Sequence, residues 1–145
     1  MKLSGIFTTA AIFAALLTSC TEDELDQIII EGSITTNTTW EAGKNLIIRG
    51  DVYIDNAALT IQPGTTIRFE NGASLSIGYY NAASIIANGT VDKPIIFTSA
   101  LDNPIGGAWK GIFLYSNNSA NSSFKYCQVK YAGTNDYGSL NIDGT

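Results

Sequence analysis

Acid–base chemistry in this chain would have to come from carboxylates, lysines and two arginines, because the sequence contains no histidine. Asp51 and Asp55 are four apart and could share a turn, and Asp136 and Asp143 flank a predicted strand. Neither pair has the ligand spacing of a calcium loop, and Asp in turns mostly serves local backbone hydrogen bonds. A hydrolytic carboxylate pair needs only approach in space, but no spacing here nominates one. Cys127 is a second nucleophile to weigh. It lies in Phe124–Tyr131, where alternation puts it on one face with Val129 and Tyr131. Without a histidine to act as its base it reads as a buried free thiol, a small hydrophobe. The sequence therefore assigns no catalytic residue, no metal ligand and no cofactor.

Aromatic residues offer a different kind of chemistry, since sugar rings stack on exposed Trp and Tyr faces. Tyr79 and Tyr80 are adjacent in a predicted loop between Ile77 and Ser84, which makes them the candidate ligand-binding residues. Trp109, in Gly106-Gly107-Ala108-Trp109-Lys110-Gly111, is expected to pack in the core or at a corner. Trp40 is expected in an N-terminal cap.

The other reactive group is the thiol of Cys20. Lys2 precedes the largely apolar stretch Ile6–Leu17, and small residues follow. That is the layout of a secretory leader, too short to span a bilayer permanently. Leu17-Thr18-Ser19-Cys20 resembles the lipobox of bacterial lipoproteins, in which the cysteine becomes the acylated first residue of the mature chain. The resemblance implies lipidation at Cys20 and a membrane partner through that anchor. The acidic run Thr21-Glu22-Asp23-Glu24 resembles the signal that sends such lipoproteins to the cell surface, so the expected address is the outer membrane. With Cys20 acylated, Cys127 has no disulfide partner. The Asn-Xaa-Ser/Thr triplets at Asn37, Asn88, Asn117 and Asn121 would read as glycan acceptors in a eukaryotic secreted protein. Behind a bacterial leader they read as turn residues.

Charge narrows the partners. The net charge of −5 is concentrated in residues 20–31, which hold five carboxylates and no cation. Residues 32–145 carry eight acidic against seven basic side chains, which leaves that body at −1. No basic patch is available to neutralise phosphates, so nucleic-acid binding is excluded.

These side chains must be positioned by short β segments. From Leu46 onward, runs of three to eight β-branched, aromatic and aliphatic residues alternate with Gly, Asn, Asp and Pro, and no helical period follows the leader. The segments are Leu46–Ile48, Val52–Ile54, Leu59–Ile61, Ile67–Phe69, Leu75–Ile77, Ser84–Ala87, Ile95–Thr98, Ile112–Tyr115, Phe124–Tyr131 and Leu140–Ile142. Arg49-Gly50-Asp51 reads as a turn between two of them. A sandwich would prefer longer strands joined by hairpins, whereas a parallel β-helix uses very short strands and a weak period. Val52-Tyr53-Ile54, Leu75-Ser76-Ile77 and Ile95-Ile96-Phe97 start 23 and then 20 residues apart. Leu59 to Phe69 reads as two alternating runs joined at a Pro63-Gly64 corner. The expected architecture is an all-β, right-handed parallel β-helix of roughly four to five coils. Its interior is predicted to hold Leu59, Ile61, Ile67, Phe69, Leu75, Ile77, Ile95, Phe97, Ile112, Leu114 and Val129.

Leu59–Phe69, Ser84–Thr90, Lys93–Ser99, Trp109–Ile112 and Lys125–Gly133 resemble consecutive phrases of parallel β-helix repeat proteins common among surface lipoproteins of the Bacteroidota. The organisation that follows is a leader over 1–19, an acidic tether over 20–33 and a β-helix domain over 34–145. Gly138–Thr145 begins a strand with no polar cap after it, so the chain is expected to be a truncated member of a longer family. The resemblance implies a fold and no single activity, since the fold hosts lyases, hydrolases, adhesins and stalks. The functional expectation is a non-catalytic surface lipoprotein that binds a glycan or a partner protein. The alternative is a polysaccharide lyase or glycoside hydrolase of the β-helix type, or an inactive fragment of one.

Overall fold

Short runs of alternating apolar residues cannot bury their inward side chains alone, so each run here pairs with the equivalent run one turn of chain away. In the computed structural model, which describes residues 27–115, 119–134 and 138–143, twelve strands do this. They are β1 (Gln27–Ile34), β2 (Thr38–Trp40), β3 (Asn45–Ile54), β4 (Ala58–Ile61), β5 (Thr66–Phe69) and β6 (Ser74–Ile77), then β7 (Ser84–Asn88), β8 (Ile95–Ser99), β9 (Gly111–Tyr115), β10 (Ser123–Lys125), β11 (Cys127–Val129) and β12 (Leu140–Asp143). All pairings between them are parallel. Parallel neighbours need a crossover, and here the crossover is the rest of the coil.

The strands stack as three faces. The first carries the N-terminal halves of β1 and β3, then β5, β8 and β11. The second carries their C-terminal halves, then β6, β9 and β12. The third runs β2, β4, β7, β10. The described residues thus form four coils of three strands and the first two strands of a fifth, a parallel β-helix.

Inside, register partners build columns. Val52, Leu75 and Ile112 form one, Ile54, Ile77 and Leu114 another, and Leu46, Ile67 and Phe97 a third. Every predicted interior residue except Val129 is buried, and Val129 is half-buried against the core. Burying each such side chain is worth about 1.5–3 kcal/mol. Trp109 is fully buried, stacked on Phe69 with ring centroids 3.8 Å apart, and its Nε1 donates to the Lys130 carbonyl at 2.9 Å. Trp109 thus packs in the core, as expected, in the segment between β8 and β9.

Several local expectations change. β1 takes up the second half of what reads as tether, from Gln27 on, because Ile28, Ile29 and Ile30 pair with Leu46, Ile47 and Ile48. Trp40 is not in a separate cap; it closes β2 of the first coil and is 4% exposed. Arg49-Gly50-Asp51 is not a turn between strands, since β3 runs through it, bent at Gly50 with φ of 65°. Ile95-Ile96-Phe97 does not stack on Leu75; Phe97 pairs with Ile67 on the first face. Phe124–Tyr131 is two strands on different faces, split at Tyr126, whose φ is 48°, and Tyr131 is exposed.

Candidate functional site

On the second face the outward positions of three successive strands differ sharply in size. β3 presents Asp51 and Tyr53, β6 presents Ser74 and Ser76, and β9 presents Gly111 and Phe113, in register in that order. Small hydroxyl side chains between larger neighbours leave a groove along β6. Its volume is about 250 Å³, and Tyr79, Lys110 and Tyr115 complete its lining. Sites that enclose a drug-sized ligand run from about 300 to 1,000 Å³, so this groove suits one unit of a chain lying on the surface.

One end of the groove is aromatic. The chain leaves β6 at Gly78, with φ of 77°, and enters a loop that carries Tyr79 and Tyr80. Asp55 pins that loop, its Oδ1 accepting from the Asn81 amide at 2.6 Å and its Oδ2 from the Asn81 side chain at 3.1 Å. Tyr79 then packs edge-on to Tyr80 at 4.6 Å and to Tyr115 at 4.9 Å, and Tyr53 lies 5.6 Å from both loop tyrosines. Tyr79 is 48% exposed and Tyr80 61%. Four tyrosine rings from two strands and one loop therefore form a single contact surface.

The other end is charged. Lys110 Nζ donates to both Asp51 oxygens, at 2.7 and 2.9 Å, and Ser74 Oγ donates to Asp51 Oδ1 at 2.6 Å. Partial burial pushes the Asp51 carboxyl up, but hydrogen bonds from Lys110 and Ser74 and the lysine charge outweigh it and hold it below its ordinary range. Partial burial, with the Asp51 charge nearby, raises Tyr53 above its ordinary value. The tyrosine therefore stays a neutral hydroxyl.

The profile of a pectate-lyase-like β-helix domain matches residues 32–144, nearly the whole span of the stacked coils. The chain belongs to this family. No curated protein and no solved structure gives a significant match to it. Within this pectate-lyase-like β-helix, the residues that sequence spacing singled out lie in different places. Tyr79 lines the groove, and Tyr80 packs beside it against Tyr53 and Tyr79. Asp51 lies on the outward side of β3 and Asp55 just past its end. One is paired with Lys110 and the other holds the tyrosine loop. Cys20, Asn117 and Asp136 lie outside the described residues. Cys127 is a free, half-buried thiol whose burial raises its pKa, with its Sγ against the Ala87 and Lys125 carbonyls. Both arginines are engaged on the first-face side: Arg49 with Glu70 at 3.0 Å, and Arg68 with Asn45. Among the described residues no three His, Cys, Asp or Glu side chains converge as a metal site.

Sequence reasoning missed Tyr53, Ser74, Ser76, Lys110, Phe113 and Tyr115. The recurrence of Val52-Tyr53-Ile54 and Leu75-Ser76-Ile77 could have placed the first and third side by side. A larger hollow of about 500 Å³ opens against the first coil, lined by Ile30, Ile34, Trp40 and Leu46 among others. It is the end of the core, where Ser33, four threonines, Glu41 and Lys44 join the apolar residues; the smaller groove is the candidate site because it joins a tyrosine cluster to the Asp51–Lys110 pair.

Proposed function

We propose that this β-helix is a non-catalytic surface lipoprotein whose second face binds glycans. The observation that carries the reading is the tyrosine cluster Tyr53, Tyr79, Tyr80 and Tyr115 bordering a groove with hydroxyl and charged groups. Ring faces supply apolar area to the carbon side of a sugar while the polar groups take its hydroxyls. The carboxylates favour binding over hydrolysis. Asp51 is the single carboxylate lining the groove among the described residues. Asp55, four residues on, is engaged by Asn81 of the tyrosine loop and is not among the residues that line the groove. In this reading Cys20 carries the lipid anchor, and two or three acyl chains, at about 0.8 kcal/mol per buried CH₂, hold the protein in the outer membrane.

The test is a polysaccharide panel offered to the full-length chain in detergent and scored for both retention and product release. Retention of a polymer, lost in Tyr79→Ala/Tyr80→Ala and without new reducing ends or unsaturated sugar, is the expected result. Released oligosaccharide would replace this reading with the enzymatic one. For the anchor, Cys20→Ala should move the protein from the membrane to the soluble fraction; unchanged membrane association would refute lipidation there.

A further inference from the structure

The charged end of the groove has a hydrogen-bonding remainder that selects among glycans. An ionised carboxylate offers about four acceptor sites and an ammonium three donors. Ser74 and Lys110 occupy three of the Asp51 sites, and Asp51 occupies two of the Lys110 donors. What is left over is one acceptor on Asp51 and one donor on Lys110, side by side at the groove. A hydroxyl group, which donates once and accepts as well, is the complement of that remainder. A sugar carboxylate is not. It brings no proton for Asp51, it meets a like charge there, and the one remaining Lys110 donor belongs to an ammonium whose charge Asp51 already neutralises. Lys110 is the single cation in the lining and Asp51 the single anion. The floor beside them, Ser74 and Ser76, is neutral and hydroxylic.

We infer that the groove takes a neutral, hydroxyl-rich polysaccharide rather than a uronate polymer, with a sugar hydroxyl bridging Asp51 and Lys110 and the ring against the tyrosines. This rests on the glycan-binding reading above and narrows it to a ligand class. The Asp51–Lys110 pair then acts as a charge filter: the lysine is kept from acidic chains because Asp51 already neutralises it.

The experiment pairs polymers of one backbone. Polygalacturonan, alginate and glucuronan are each offered native and after carboxyl reduction to the neutral polymer, together with glucan, mannan and xylan. The full-length chain in detergent is compared with Asp51→Asn, Lys110→Met and Tyr79→Ala/Tyr80→Ala, with thermal melts to confirm that each variant folds. The wild type should retain at least one neutral polymer, about tenfold more tightly than any uronate form, with little dependence on salt. Asp51→Asn should weaken the neutral polymer about tenfold and gain salt-sensitive retention of uronates, because Lys110 is released. Preference of the wild type for uronates would overturn the neutral class while leaving a glycan-binding face. Neutral binding that the tyrosine variant abolishes, but both charge variants leave intact, would overturn the role of the pair. Retention of no polymer would overturn both readings.

Discussion

Asp51 is a surface carboxylate with three hydrogen bonds, and its depressed pKa makes its contribution to stability pH-dependent. A group whose folded pKa lies below its unfolded value stabilises the fold above the unfolded value, about 3.9 for Asp, and loses that contribution as pH falls through the folded one. Asp51→Asn should therefore be less stable than wild type at pH 7, and the gap should close below roughly pH 4. Both partners of the ion pair are over one-third exposed, so the gap at neutral pH should stay under about 1 kcal/mol. Urea titrations of the two proteins at pH 7 and at about pH 2.5 check this; a gap that persists in acid would mean the carboxylate charge is not its source. At this scale the sequence exposed only part of the site. Tyr79 and Tyr80 were legible because they are adjacent in one loop. Tyr53 and Tyr115 were not, since only coil register brings them to those rings. Lys110 was hidden for the same reason, being 59 positions from the carboxylate it holds.

The bend in β3 shows how an element can be misread from correct local signals. Gly at position 50 does supply a left-handed φ, as a turn would, yet the strand resumes at once and keeps pairing on both sides. The residue turns the ribbon from the first face to the second, and so aims Asp51 and Tyr53 into the groove face. A Cβ at Gly50 would meet nothing within 4 Å, so any cost of substitution there is conformational and not steric crowding. Gly50→Ala should destabilise by about 1–2 kcal/mol, the penalty of a left-handed L-residue. Gly50→Asn should lose clearly less, because Asn tolerates that region. Equal losses in thermal melts would show that the backbone there is not held left-handed. Tyr126 makes the complementary point. Nothing in its type announces a left-handed corner, so Phe124–Tyr131 read as one strand where the fold has two.

Across the whole molecule, the inward-facing pattern was legible and the coil length was not. Each apolar run announces its own interior residues by alternation, which is why ten of the eleven predicted interior residues are buried and only Val129 is half-buried. The step between coils is another matter. It is 21 residues from Leu46 to Ile67 but 30 from Ile67 to Phe97, and 23 from Val52 to Leu75 but 37 from Leu75 to Ile112. Loops of unequal length leave the corners, and the tyrosine loop is one of them, so a fixed period loses register after one coil. Stacked coils also predict how energies combine. Each coil touches only the next, at about 4.8 Å, so residues two coils apart lie about 10 Å from each other with a strand between them. Ile54 and Ile77 are direct register partners, whereas Ile54 and Ile112 have β6 between them. Each Ile→Val change should cost about 0.5–1.5 kcal/mol. Ile54→Val with Ile112→Val should add within about 0.3–0.5 kcal/mol, while Ile54→Val with Ile77→Val should depart from additivity by more than about 0.5 kcal/mol. Urea unfolding of the singles and doubles measures both cycles. Strong coupling across two coils would mean the interior repacks as one unit, and the nearest-neighbour account of this solenoid would be wrong.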